Sequence, residues 1–87
     1  MKKSKKEEIA KKIEILKVRA DIYEAKSKIR YDTCLCYANR MDQASLEGRP
    51  ADEFDSLKYK SNLEKSCDYS NMAKEIRLIV DILEALV

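Results

Sequence analysis

The chain has no histidine and no tryptophan, and only one glycine, one proline and one phenylalanine in 87 residues. Without imidazole there is no histidine base, no histidine metal ligand and no Ser-His or Cys-His nucleophile pair. A di-iron bundle, which needs Glu-x-x-His, is excluded with them. One Gly and one Pro cannot supply the frequent turns of a sheet protein, so no strands are expected. No stretch approaches the roughly 20 apolar residues of a membrane span, and no apolar signal core follows the charged start. The chain is therefore expected to stay in the cytoplasm.

What is present is 45% apolar and 39% charged residues, the mix of helical bundles and coiled coils. The length suits one domain. Three cysteines, Cys34, Cys36 and Cys67, are an odd number. Cys34 and Cys36 point about 200° apart around a helix, so they cannot hold one metal together. Free thiols packing as small apolar groups are expected, with a redox or intermolecular disulfide role as the alternative. No cofactor and no metal are expected.

The net charge of +2 is unevenly spread. Residues 1–48 carry 12 basic and 8 acidic side chains, and residues 49–87 carry 6 and 8. The excess sits at Lys2, Lys3, Lys5, Lys6, Lys11 and Lys12. No aromatic ring lies among them to stack on a base, which disfavours nucleic acid. A solvated helix start is the plain reading, and a phosphate or anionic-lipid contact is the alternative.

Ser4 and Glu7 have the spacing of a capping box, which places a helix start there. Nothing breaks the helix until Gly48, suited to the left-handed position after a helix end, and Pro50, suited to open the next helix. Asp52, Glu53 and Asp55 then set negative charge on the positive end of the second helix. The expectation is one domain, with a helix over 4–47, a turn over 48–50 and a helix over 51–87. Antiparallel neighbours should then sum to about 97, so that 31–37 faces 60–66.

On the first helix Ile9, Ile13, Leu16, Ala20, Tyr23, Ser27, Arg30, Cys34, Tyr37, Met41 and Ala44 follow an unbroken 4-3 spacing, a heptad seam. A second stripe, Ile15, Ile22, Ile29 and Cys36 with Val18 and Ala25 beside it, runs round the helix from the first. Lys12, Arg19, Lys26 and Arg40 lie between the two. On the second helix Tyr69, Met72, Ile76, Ile79, Leu83 and Leu86 form one seam and Tyr59, Leu63, Ala73 and Val80 another. A hairpin can cover only one seam per helix, so a further helix is required, from a second copy or another protein.

Residues 31–37 and 66–71 are poor helix formers. They mark a soft middle, or a break with Asp32 or Thr33 as N-cap that would give three helices. The unbroken seam through 30–37 favours two.

The basic line Lys12, Arg19, Lys26 and Arg40, with Arg30 nearby, would suit an anion-binding enzyme if helices closed around it. No polar orienting set accompanies it beyond Gln43, which favours a solvated strip whose long stems cover the apolar edges. Asp52, Glu53 and Asp55 lack the pattern of a calcium loop, and helix-start electrostatics account for them. Tyr23, Tyr31, Tyr37, Tyr59 and Tyr69 fit seam packing and a docking face.

From Gly48 onwards, Gly48-Arg49-Pro50-Ala51-Asp52-Glu53-Phe54, Tyr59-Lys60-Ser61-Asn62-Leu63, Met72-Ala73-Lys74-Glu75-Ile76 and an Ile/Leu/Val tail resemble the second half of small helical-hairpin proteins of type III secretion systems. These include the needle subunit and its small cytoplasmic co-chaperones. The single Pro at the turn and the Lys-rich segment from Met1 to Lys17 depart from the needle pattern and favour the co-chaperone type. The resemblance implies a non-enzymatic hairpin that shields an apolar partner helix.

The sequence thus predicts an all-α antiparallel two-helix hairpin, completed into a bundle by oligomerisation or by a partner helix. Its expected role is a non-enzymatic interaction module, a cytoplasmic chaperone or adaptor with no catalytic residues. The partner face is expected at Ile15, Ile22, Ile29, Met72, Ile76, Ile79, Leu83 and Leu86. The alternatives are a nucleic-acid or anionic-surface binder through the Lys-rich start and, third, a small all-α anion-binding enzyme.

Overall fold

The computed structural model describes residues 4–87 as two antiparallel helices, α1 (Lys5–Leu46) and α2 (Glu53–Glu84). They form a rod of 71 × 19 × 15 Å. Lys2 and Lys3, counted above in the basic start, lie outside the described residues. No described helix is long and apolar enough to cross a membrane.

Ser4 caps α1: its hydroxyl accepts from the Glu7 amide at 3.2 Å, which satisfies one of the free N–H groups of the first turn. The helix then runs unbroken through the soft middle, so the three-helix alternative with a break at Asp32 does not occur. Thr33 sits within the helix with its hydroxyl donating to the Ile29 carbonyl at 2.9 Å, one turn back.

Gly48, at φ 71°, ends α1 as expected. The Gly48 amide donates to the Ser45 carbonyl and the Arg49 amide to the Ala44 carbonyl, the paired bonds of a Schellman motif. The second start differs from the expectation. Asp52, not Pro50, opens α2 by accepting from the Phe54 amide at 2.8 Å, and Pro50 lies in the turn. A carboxylate that satisfies a free amide outcompetes a proline that only presets φ.

This longer turn shifts the register. Tyr23 stacks on Tyr69 with ring centroids 5.9 Å apart, and the Ser27 and Ser66 hydroxyls lie 3.2 Å apart. Facing residues therefore sum to 92 or 93 rather than 97, and the 31–37 stretch faces about 56–62.

The α1 side of the interface is the expected seam. Ile13, Ala20, Cys34 and Ala44 are buried, and the other seven seam residues are half-buried. The α2 side is one 4-3 line that neither expected seam matches: Asp55, Tyr59, Asn62, Ser66, Tyr69, Ala73, Ile76, Val80 and Leu83. Small residues at its centre, with Ala20 and Ala73 almost fully covered, let the backbones approach. The Ser27 hydroxyl donates to the Ser66 carbonyl at 2.8 Å, and the Ser66 hydroxyl donates to the Ser27 carbonyl at 2.9 Å. Each such bond contributes about 1 kcal/mol and tolerates little separation of the helices.

Candidate partner-docking face

In an antiparallel pair the positions that flank the seam on one helix lie beside the same flank of the other, so the hairpin has two long sides. On one side lie Lys12, Arg19 and Lys26 of α1, then Ile15, Ile22 and Ile29 further out. Met72, Ile79 and Leu86 of α2 lie on the same side, with Asp68, Glu75 and Ile82 beyond them. Lys26 shows the two helices meeting there, since its ammonium sits 5.9 Å from the Tyr23 ring centre and 5.7 Å from that of Tyr69. A shallow hollow of about 330 Å³ crosses the same side, lined by Lys26, Ile29, Arg30, Thr33 and Tyr69. We call it the isoleucine side.

Six of the eight expected partner-face residues are exposed here: Ile15, Ile22, Ile29, Met72, Ile79 and Leu86, between 42% and 65% accessible. Ile76 and Leu83 are not available in the same way. They are half-buried on the line of Ala73 and Val80 that packs against α1, and they form the floor of this side. Exposed Leu78 and Ile82 extend the apolar surface of α2. The sequence reading missed both, although Ile82 continues the row of Asp68 and Glu75 at the same seven-residue spacing.

The opposite side carries ion pairs over its half remote from the turn, while Tyr31 and Leu35 stay exposed nearer the turn. Arg77 donates to Glu24 at 2.7 Å and to Asp21 at 2.9 Å, and Lys17 pairs with Glu84 at 3.6 Å. The Arg77 hydrogen bond holds the Glu24 carboxyl below its ordinary range, and the two carboxylates raise Arg77.

Three cations of the basic line and its neighbour are drawn to separate groups. Arg30 donates to Asn62 at 3.3 Å, Lys26 lies over tyrosine rings, and Arg40 turns to Asp55. Lys12 and Arg19 make no ion pair among the described residues. Asp55 corrects the reading of the acidic triplet. It is a seam residue, only 6% exposed, with Arg40 Nε 3.4 Å from Oδ1, a charge contact without hydrogen-bond geometry. Asp52 does cap the helix, so helix-start electrostatics account for only part of the cluster. A larger hollow of about 620 Å³ at the turn is lined by these groups and by Arg49, whose charge is met by Glu47. Glu47 in turn is held below its ordinary range by hydrogen bonds from Gln43 and Arg49.

Among the described residues no three His, Cys, Asp or Glu side chains are grouped to hold a metal. Cys34 is buried and burial raises its thiol pKa, whereas Cys36 and Cys67 are exposed. No family model, curated protein or solved structure gives a significant match to this chain.

Proposed function

We propose that the chain is a non-enzymatic helical interaction module whose isoleucine side docks a further helix. One observation carries the reading: rows of large apolar residues, Ile15, Ile22 and Ile29 on α1 and Met72, Ile79 and Leu86 on α2, lie exposed on the same long side. Apolar surface removed from water stabilises by about 25 cal/mol per Å², the largest favourable contribution a hairpin without an enclosed core can gain. A chaperone or adaptor that shields an apolar helix of an assembly component would work through such a side. The type III secretion co-chaperone is the form of that role the second half of the chain resembles.

Ile22→Asp and Ile79→Asp test it, since an unpaired charge in an apolar contact costs several kcal/mol. Both variants are expected to stay helical and lose association, seen as a lower mass by sedimentation or loss of a co-purifying protein. Unaltered mass and unaltered partner content in both would reject the reading. Salt separates it from an anionic-surface binder using Lys5, Lys6 and Lys12, because phosphate-led affinity falls steeply with salt and apolar docking does not.

A further inference from the structure

We infer that the helix seated on the isoleucine side is α2 of a second copy of this chain, the two hairpins packing face to face about a two-fold axis along their length. The inference rests on the docking role proposed for this side and names its occupant.

Area leaves room for it. The chain exposes 6870 Å², where a compact monomer of 10.1 kDa exposes about 5,300 Å². The excess is about twice the roughly 800 Å² per partner that a stable interface buries, so covering one long side suffices.

Charge then selects the occupant. Arg19 and Lys26 stand seven residues apart beside the isoleucine row. They call for a helix with an apolar face and an acidic edge of the same repeat. The chain's own α2 is such a helix: Met72, Ile79 and Leu86 form the apolar row, and Asp68 and Glu75, seven apart, form the edge.

The register agrees. A two-fold axis along the rod preserves height, so residues level within one hairpin are level between hairpins. Arg19 then meets the partner's Glu75, Lys26 the partner's Asp68, Ile15 the partner's Ile79 and Ile22 the partner's Met72. All four pairs sum to 94, close to the 92 or 93 of the hairpin itself. Over residues 15–26 of α1 and 68–79 of α2, ion-paired and apolar layers alternate, and the symmetry repeats each pair on the other half. The product is a four-helix bundle in which α1 of each copy packs antiparallel on α2 of the other.

Sedimentation equilibrium of the full chain and its charge-swapped variants tests this. The wild type is expected at twice the single-chain mass. Arg19→Glu and Glu75→Arg should each weaken the dimer by about tenfold or more, and the double variant should restore it. Both positions are solvent-exposed, and circular dichroism checks that each variant keeps its helices. A wild type that stays at single-chain mass from micromolar to millimolar concentration overturns the self-pairing. The docking role survives that result if a synthetic amphipathic helix with an acidic edge binds and Ile22→Asp abolishes the binding. A dimer that both single swaps leave intact overturns the register. A dimer indifferent to Ile22→Asp overturns the docking role as well.

Discussion

The two long sides of the hairpin are built from the same heptads and end in opposite states. On one, Arg77 reaches across to Asp21 and Glu24 while Lys17 meets Glu84, so α1 and α2 satisfy each other's charge. On the other, Arg19 lies on the same side as Met72 and Ile79; it makes no ion pair among the described residues, and both apolar side chains stay exposed. Exposed ion pairs add little stability, and on that side they meet charge with charge inside the hairpin. The isoleucine side keeps surface and charge in reserve, and there α1 and α2 hold complementary rather than matched rows.

The change expected to act most strongly removes the comparison altogether. Ala20→Leu or Ala73→Leu puts bulk where the helices approach most closely, and overpacking of that kind costs about 1–3 kcal/mol. Both sides lose their geometry together, and the urea midpoint should fall in step with dimer dissociation. An unchanged midpoint would mean that the small residues are not what brings the helices close.

A smaller effect separates the sides. Glu24 is held below its ordinary value of 4.5, so the unfolded chain takes up the proton first. The stability from this contact is present above that ordinary value and is lost as pH falls through the lower folded value. Arg77→Ala should flatten this acid limb while leaving association unaltered. Association lost in Arg77→Ala would show that the ion-paired side also binds.

Thiol alkylation gives the smallest but sharpest contrast. Cys36 continues the isoleucine row, and Cys67 lies toward the ion-paired side; both are exposed in the single chain. Rising concentration should slow Cys36 relative to Cys67, and Cys34, buried and with a raised thiol pKa, should react only on unfolding. Equal rates for Cys36 and Cys67 at every concentration would count against the isoleucine side as the covered one.

The α1 seam was legible in full because its 4-3 spacing is mostly apolar and never changes phase. The α2 seam was not, because Asp55, Asn62 and Ser66 occupy it. Counting apolar residues moved the expected line onto Met72 and Ile79, whose neighbours Ile76 and Leu83 belong to both patterns. Asn62 and Ser66 are tolerated inside because each is hydrogen-bonded, whereas Asp55 Oδ1 has only the charge of Arg40 beside it. Asn62 donates to the Lys58 carbonyl and accepts from Arg30, Ser66 exchanges bonds with Ser27, and Asp55 meets Arg40. Such pairings depend on the register, and the register depended on whether Asp52 or Pro50 opened α2. Six of the eight expected partner-face residues are exposed despite this error, because exposed rows repeat every seven residues wherever the seam falls.

The reciprocal serine clasp also acts as a vernier. If α2 slid by one helical turn along α1, each hydroxyl would lose the carbonyl it grips and the two alanines would part from their small neighbours. The stagger of the rods is therefore fixed near their midpoint, far from the loop that joins them. Any larger assembly built from these rods inherits that spacing, and a length standard is set by two hydroxyl groups.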